Sequence, residues 1–109
     1  MDREELIRRL VLDKICDDYE NVDQTILRDV AGEGGQFGLD IRRADVVNAL
    51  AQLVAQGLAK AYTLSSTPPF QTQLAAMPPL VVPEQQFQTY FLATSKGLDL
   101  QLNDTSWWP

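Results

Sequence analysis

Residues 40–65 read DIRRADVVNALAQLVAQGLAKAYTLS, an amphipathic helix that ends at a glycine and runs directly into an alternating strand. Val46, Leu50, Leu53, Val54 and Leu58 recur at three- and four-residue steps, so they share one face and are expected to be buried together. Arg42, Asp45, Asn48, Gln52 and Gln56 fall largely on the other faces. Asp40 suits the N-cap, where a carboxylate accepts from unpaired N–H groups and meets the positive end of the helix. Gly57 suits the position after the last turn, where a left-handed backbone costs glycine little. Beyond it Ala59, Ala61 and Thr63 alternate with Lys60, Tyr62 and Leu64, which predicts a strand. Its expected partner is Phe87–Ala93, rich in aromatic side chains.

Two helices are expected before this junction. The first covers Asp2–Tyr19, with Leu6, Ile7, Leu10, Val11 and Ile15 on one face and Asp2, Glu4 and Glu5 at its start. The second covers Asp23 to about Ala31 on Ile26, Leu27 and Val30. It is expected to give way to a loop at GEGGQFG, where Phe37 and Leu39 pin the chain to the core. After the two strands Thr94 is placed to cap a helix over Ser95–Leu102, with Leu98, Leu100 and Leu102 available to the core; their two-residue spacing suits a strand equally. The aromatic tail 103–109 carries Trp107 and Trp108, whose apolar area predicts packing on the domain or on a neighbour.

Between the predicted strands, Thr67–Gln86 reads TPPFQTQLAAMPPLVVPEQQ, with five of the six prolines and Glu84 as its one charge. Twenty residues are long for a hairpin connection, so the segment is a functional loop, an ordered flap or a mobile tip. Phe70, Leu74, Met77, Leu80, Val81 and Val82 are too apolar for an ordinary linker. They point either to a partner or to folding back over the sheet.

With 109 residues, 45% of them hydrophobic, residues 1–109 are expected to form a single domain. The early charges of MDREELIRRL and the lack of a long apolar run predict no leader or membrane anchor, hence a cytoplasmic chain. Cys16 is the one cysteine, which fits a reducing compartment, and its setting predicts a half-buried structural thiol. Nine basic against fifteen acidic residues give a net charge of −6, so any nucleic-acid contact has to come from a local patch.

The order helix, helix, helix, strand, long connection, strand, together with LAQLVAQGLAKAY and YFLATSKG, resembles the winged helix-turn-helix domains of bacterial transcriptional regulators. Leu50, Leu53, Gly57 and Leu58 match the end of the third helix in those families, and Thr94 and Gly97 match the exit from the wing. The resemblance implies a mainly α fold, a three-helix core plus a small antiparallel β-hairpin, with a long wing at about 67–86. It further implies duplex DNA as partner, the third helix entering the major groove. Carried over, the candidate DNA contacts are Arg28, Arg42, Arg43, Asn48, Gln52, Lys60 and Lys96. Arginine suits guanine edges and asparagine or glutamine suits adenine. Asp40 and Asp45 among these positions repel phosphate, and no basic residue lies between Tyr62 and Phe91.

The alternative is a winged-helix module that binds a protein, or a second copy of itself, without binding DNA. Its candidate contacts are Phe70, Leu74, Met77, Leu80, Val82, Trp107 and Trp108. Histidine is absent, no nucleophile elbow or phosphate-binding loop is present, and adjacent carboxylates such as Asp17 and Asp18 diverge on a helix. No enzymatic activity, metal or cofactor is expected.

Overall fold

The α1 helix, Arg3–Lys14, begins where Asp2 accepts from the Glu5 N–H at 2.8 Å. Ile7, Leu10, Val11 and Leu12 are all buried, so the helix is covered over more than one side, as befits its place against the helices Leu27–Gln36, Arg43–Ala55 and Ser95–Asn103. It stops well before Tyr19, the expected end, because the chain must turn to lay Glu20 beside the sheet. The computed structural model describes residues 2–107, the side chains of Gln24 and Thr25 excepted.

A π-helical turn, Val22–Ile26, leads into α2, Leu27–Gln36. The expected glycine-rich loop is therefore mostly helix. Gly34 is buried under Ile41, so close that a Cβ there would overlap the Ile41 side chain, and this packing outweighs the poor helix propensity of glycine. The helix stops at Gly38, φ 72°, where the Leu39 N–H bonds to the Gly34 carbonyl at 2.9 Å.

The α3 helix, Arg43–Ala55, ends as expected. Gly57 has φ 74°, the Leu58 N–H bonds back to Leu53 O at 2.9 Å, and the Gly57 N–H to Val54 O at 3.1 Å, the paired bonds of a Schellman stop. Its start corrects the expected cap. Arg42 is the N-cap, and its N–H donates to Asp45 at 2.9 Å, while the Asp40 carboxylate is engaged by the Arg42 guanidinium.

Strand β1, Ala59–Leu64, pairs antiparallel with β3, Tyr90–Ala93, in the register Ala61 opposite Phe91. A third strand, β2 at Gln71–Gln73, pairs with the other edge of β1, so the sheet runs β2-β1-β3 and the expected two-stranded hairpin is incomplete. Phe87, expected in a strand, lies in a short helix, α4 at Pro83–Gln88, with proline in its first turn where no N–H is missed. The long connection between β1 and β3 is thus a hairpin strand, a packed stretch and a helix. Leu74, Met77 and Leu80 fold back on the core, and Leu80 is buried.

The last helix, α5 at Ser95–Asn103, is capped by Thr94, whose Oγ1 accepts from the Gly97 N–H at 3.1 Å. It buries Gly97 and Gln101, not the leucine row: Leu100 is partly covered and Leu98 and Leu102 are exposed. A Cβ on Gly97 would overlap the Leu58 carbonyl, so glycine is what lets α5 seat on the α3–β1 turn. The domain is therefore mixed, about half helical, with a three-stranded antiparallel sheet and, among the described residues, five α-helices. None of them is long and apolar enough to cross a membrane.

Candidate functional site

The start of α3 gathers the candidate DNA-reading arginines, and each is engaged by a carboxylate. Arg42 pairs with Asp40 at 2.9 Å, and Arg43 reaches both Asp23 and the buried Gln86. Gln86 in turn donates to Leu80 O at 2.9 Å, so Arg43 ties the π-turn, α3 and α4 together. Arg3, from α1, donates to Asp45 at 3.1 and 3.2 Å. That contact, with the Arg42 backbone N–H second, holds the Asp45 carboxyl below its usual range. The outward face of α3 carries Ala44, Asn48, Ala51 and Ala55, all exposed, one turn apart along the helix. Among these only Asn48 can hydrogen-bond a base edge.

The remaining candidate cations are dispersed. Arg28 pairs with its neighbour Asp29 at 3.2 Å. Gln52 accepts from Arg8, and Lys96 donates to Gln56 O at 3.1 Å, where a cation also suits the negative end of α3. Lys60 is exposed on β1 and forms no ion pair among the described residues. Five of the six arginines thus sit against a carboxylate, whereas nucleic-acid contact would call for a local basic patch.

The apolar candidates divide into two groups. Leu74, Met77 and Leu80 belong to the packed connection, whereas Phe70 is 58% and Val82 is 47% exposed. Leu64 at the end of β1, Val81 and Phe87 are exposed with them. Trp107 is buried on the domain, under the Arg9 guanidinium at 5.5 Å from its ring centre. Trp108 lies outside the described residues.

Arg9 had no part in the sequence expectations, yet it is the anchor of the tail. It is 5% exposed and donates to Gln101 at 3.0 Å and Asp104 at 3.1 Å. Ser106 first, and Arg9 second, bring the Asp104 carboxyl down to about 2. The sequence carried little signal for this: Arg3, Arg8 and Arg9 all lie on α1, Arg3 is exposed and Arg8 half-buried, and only Arg9, next to the buried Leu10, Val11 and Leu12, is taken inside.

Cys16 is half-buried and its thiol donates to Leu12 O at 3.2 Å; burial first, then Asp13 and Asp17, push it up to about 11, the setting of a structural thiol. No group of three or more cysteine or carboxylate side chains is placed to hold a metal among the described residues. No family model, curated protein or solved structure matches the chain.

Proposed function

We propose that the chain is a non-enzymatic winged-helix domain that acts as a protein-interaction module and self-associates through its hairpin and connection. The winged-helix part is supported by the element order: three helices, β1, a long connection, then β3 returning beside β1. One observation carries the interaction part. From Ala61 to Pro83 the chain has no charged residue, and this stretch exposes Leu64, Phe70, Val81 and Val82 on a protein of net charge −6. Two like-charged copies approach most cheaply where neither is charged.

Sedimentation over a concentration series tests this. The expected result is a mass rising from 12.2 kDa toward twice that value, with Phe70→Ser plus Val82→Ser holding the monomer. A monomer at every concentration up to about 1 mM sinks the reading.

A second reading, a DNA-binding transcriptional regulator, is favoured by the exposure of the Arg42 pair and by Lys60 and Asn48, which are unpaired among the described residues, since phosphate can replace a solvated carboxylate. It predicts retardation of duplex DNA at low salt, strengthened by Asp40→Asn with Asp23→Asn. Absence of retardation for both proteins eliminates it.

A further inference from the structure

We propose that the outer edge of β2 is the joint between two copies, pairing antiparallel with the same strand of a second molecule across a twofold axis at Thr72. The inference rests on the self-association reading and specifies its geometry.

The ladder itself shows which backbone groups are free. The Ser65 N–H bonds to Phe70 O and the Leu74 N–H to Ala61 O, each at 2.8 Å, at the two ends of the β1–β2 pairing. Inward bonds alternate along an antiparallel strand, so Thr72, opposite Thr63, makes the inward pair between them. Gln71 and Gln73 then direct both their N–H and C=O groups away from β1. No other described segment bonds them, and every side chain of β2 is exposed.

The opposite edge of the sheet is closed. Phe91 of β3 exchanges two backbone bonds with Glu20, at 2.9 and 3.1 Å, and the Ala93 N–H donates to Ile15 O at 2.8 Å. Edge strands are ordinarily guarded by being very short, as β2 is, and by charges or proline within the strand. Gln71, Thr72 and Gln73 supply neither, and the nearest charges along the chain are Lys60 and Glu84.

Self-complementarity selects a second copy as the occupant. In a register centred on Thr72, Gln71 of each molecule faces Gln73 of the other, and each such pair exchanges two backbone bonds. The same register sets the exposed Phe70 ring opposite the other copy's Leu74, an apolar cross-strand pair. A twofold joint of this kind closes on itself, and with the β3 edge occupied it stops at a dimer. Three residues make a small joint, so the dimer dissociates on dilution.

Residue-resolved amide exchange on the full chain, at high and low concentration, tests the joint alongside sedimentation. The Gln71 and Gln73 amides are expected to exchange at least about tenfold more slowly in the concentrated sample. The Thr72 amide, bonded to β1, is expected to behave the same in both. Gln73→Pro removes an outward N–H while leaving the β1 bonds intact, and is expected to weaken dimerisation about tenfold or more with an unchanged denaturation midpoint. Should that variant misfold, Gln71→Lys with Gln73→Lys sets like charges across the axis and is expected to act in the same direction. A monomer at all concentrations overturns the joint and the self-association reading together. A dimer whose Gln71 and Gln73 amides ignore concentration, or which survives both variants, overturns the joint alone.

Discussion

The two ends of α3 are held by different kinds of interaction. At the C-terminal end backbone meets backbone: Gly57 turns left-handed, Leu58 closes the helix, the Thr94 N–H donates to Leu58 O at 3.0 Å, and Gly97 lies against that same carbonyl. At the N-terminal end side chains meet one another, in the exposed pair Arg42–Asp40 and in the pairs Arg43–Asp23 and Arg3–Asp45, whose carboxylates are half-buried. Close packing of backbone cannot be rearranged without moving whole elements, whereas solvated ion pairs exchange partners readily. The first end fixes the fold. The second leaves the outward face of α3 nearly neutral, which is why a helix starting with two arginines is a weak candidate for reading DNA.

The contrast predicts a gradient of mutational cost. Gly97→Ala places a methyl group on the Leu58 carbonyl, and forcing α5 away from the α3–β1 turn is expected to cost about 3 kcal/mol, read as a lowered denaturant midpoint. Gly57→Ala meets open space but must hold φ near 74°, so it is expected to cost about 1–2 kcal/mol. Equal midpoints for Gly97→Ala and the parent would break the comparison outright. At the other end Arg43→Ala removes the donor to Asp23 and Gln86 and is expected to cost about 1 kcal/mol, because water reaches part of the site. A cost as large as that of Gly97→Ala would show that the charged end is structural in the same sense as the glycine end.

How much of this could be read from the sequence follows the same division. The junction at Gly57, the pairing of β1 with the strand ending at Ala93 and the Thr94 cap were legible, because each depends on period and local backbone chemistry. The helical run through Gly32–Gln36 was not, since glycine propensity argues against it and the fit of Gly34 beneath Ile41 depends on how the chain turns back after Gly38, which propensity does not describe. Strand β2 was hidden for a related reason: QTQ has no apolar alternation, and only pairing with β1 makes it a strand. Among the candidate site residues, type was readable and pairing was not. Arg42 and Arg43 were visible as arginines, but Asp23 as the partner of Arg43 depends on where the π-turn is brought in the fold. Of the apolar set, Leu80 is core, Leu74 and Met77 are half-buried against it, and Phe70 and Val82 stayed on the surface.

The smallest expected effect, and the one that separates the two ends most directly, is a dependence on pH. Asp45 has its carboxyl lowered by the Arg3 side chain and then by the Arg42 N–H. A carboxyl lowered on folding contributes stability that is present above its unfolded value, near 3.9, and is lost as pH falls through the still lower folded value. The pair is solvated, so the contribution is expected to stay below about 1 kcal/mol. Denaturation midpoints of the parent and Asp45→Asn should therefore differ at pH 6 and converge as pH falls below about 4. The Gly57→Ala deficit involves no titrating group at the turn, so it should be the same at both ends of that range. If the parent and Asp45→Asn curves stay parallel from pH 6 to pH 2, charge pairing is not what holds the start of α3, and the difference between its two ends has to be sought in packing alone.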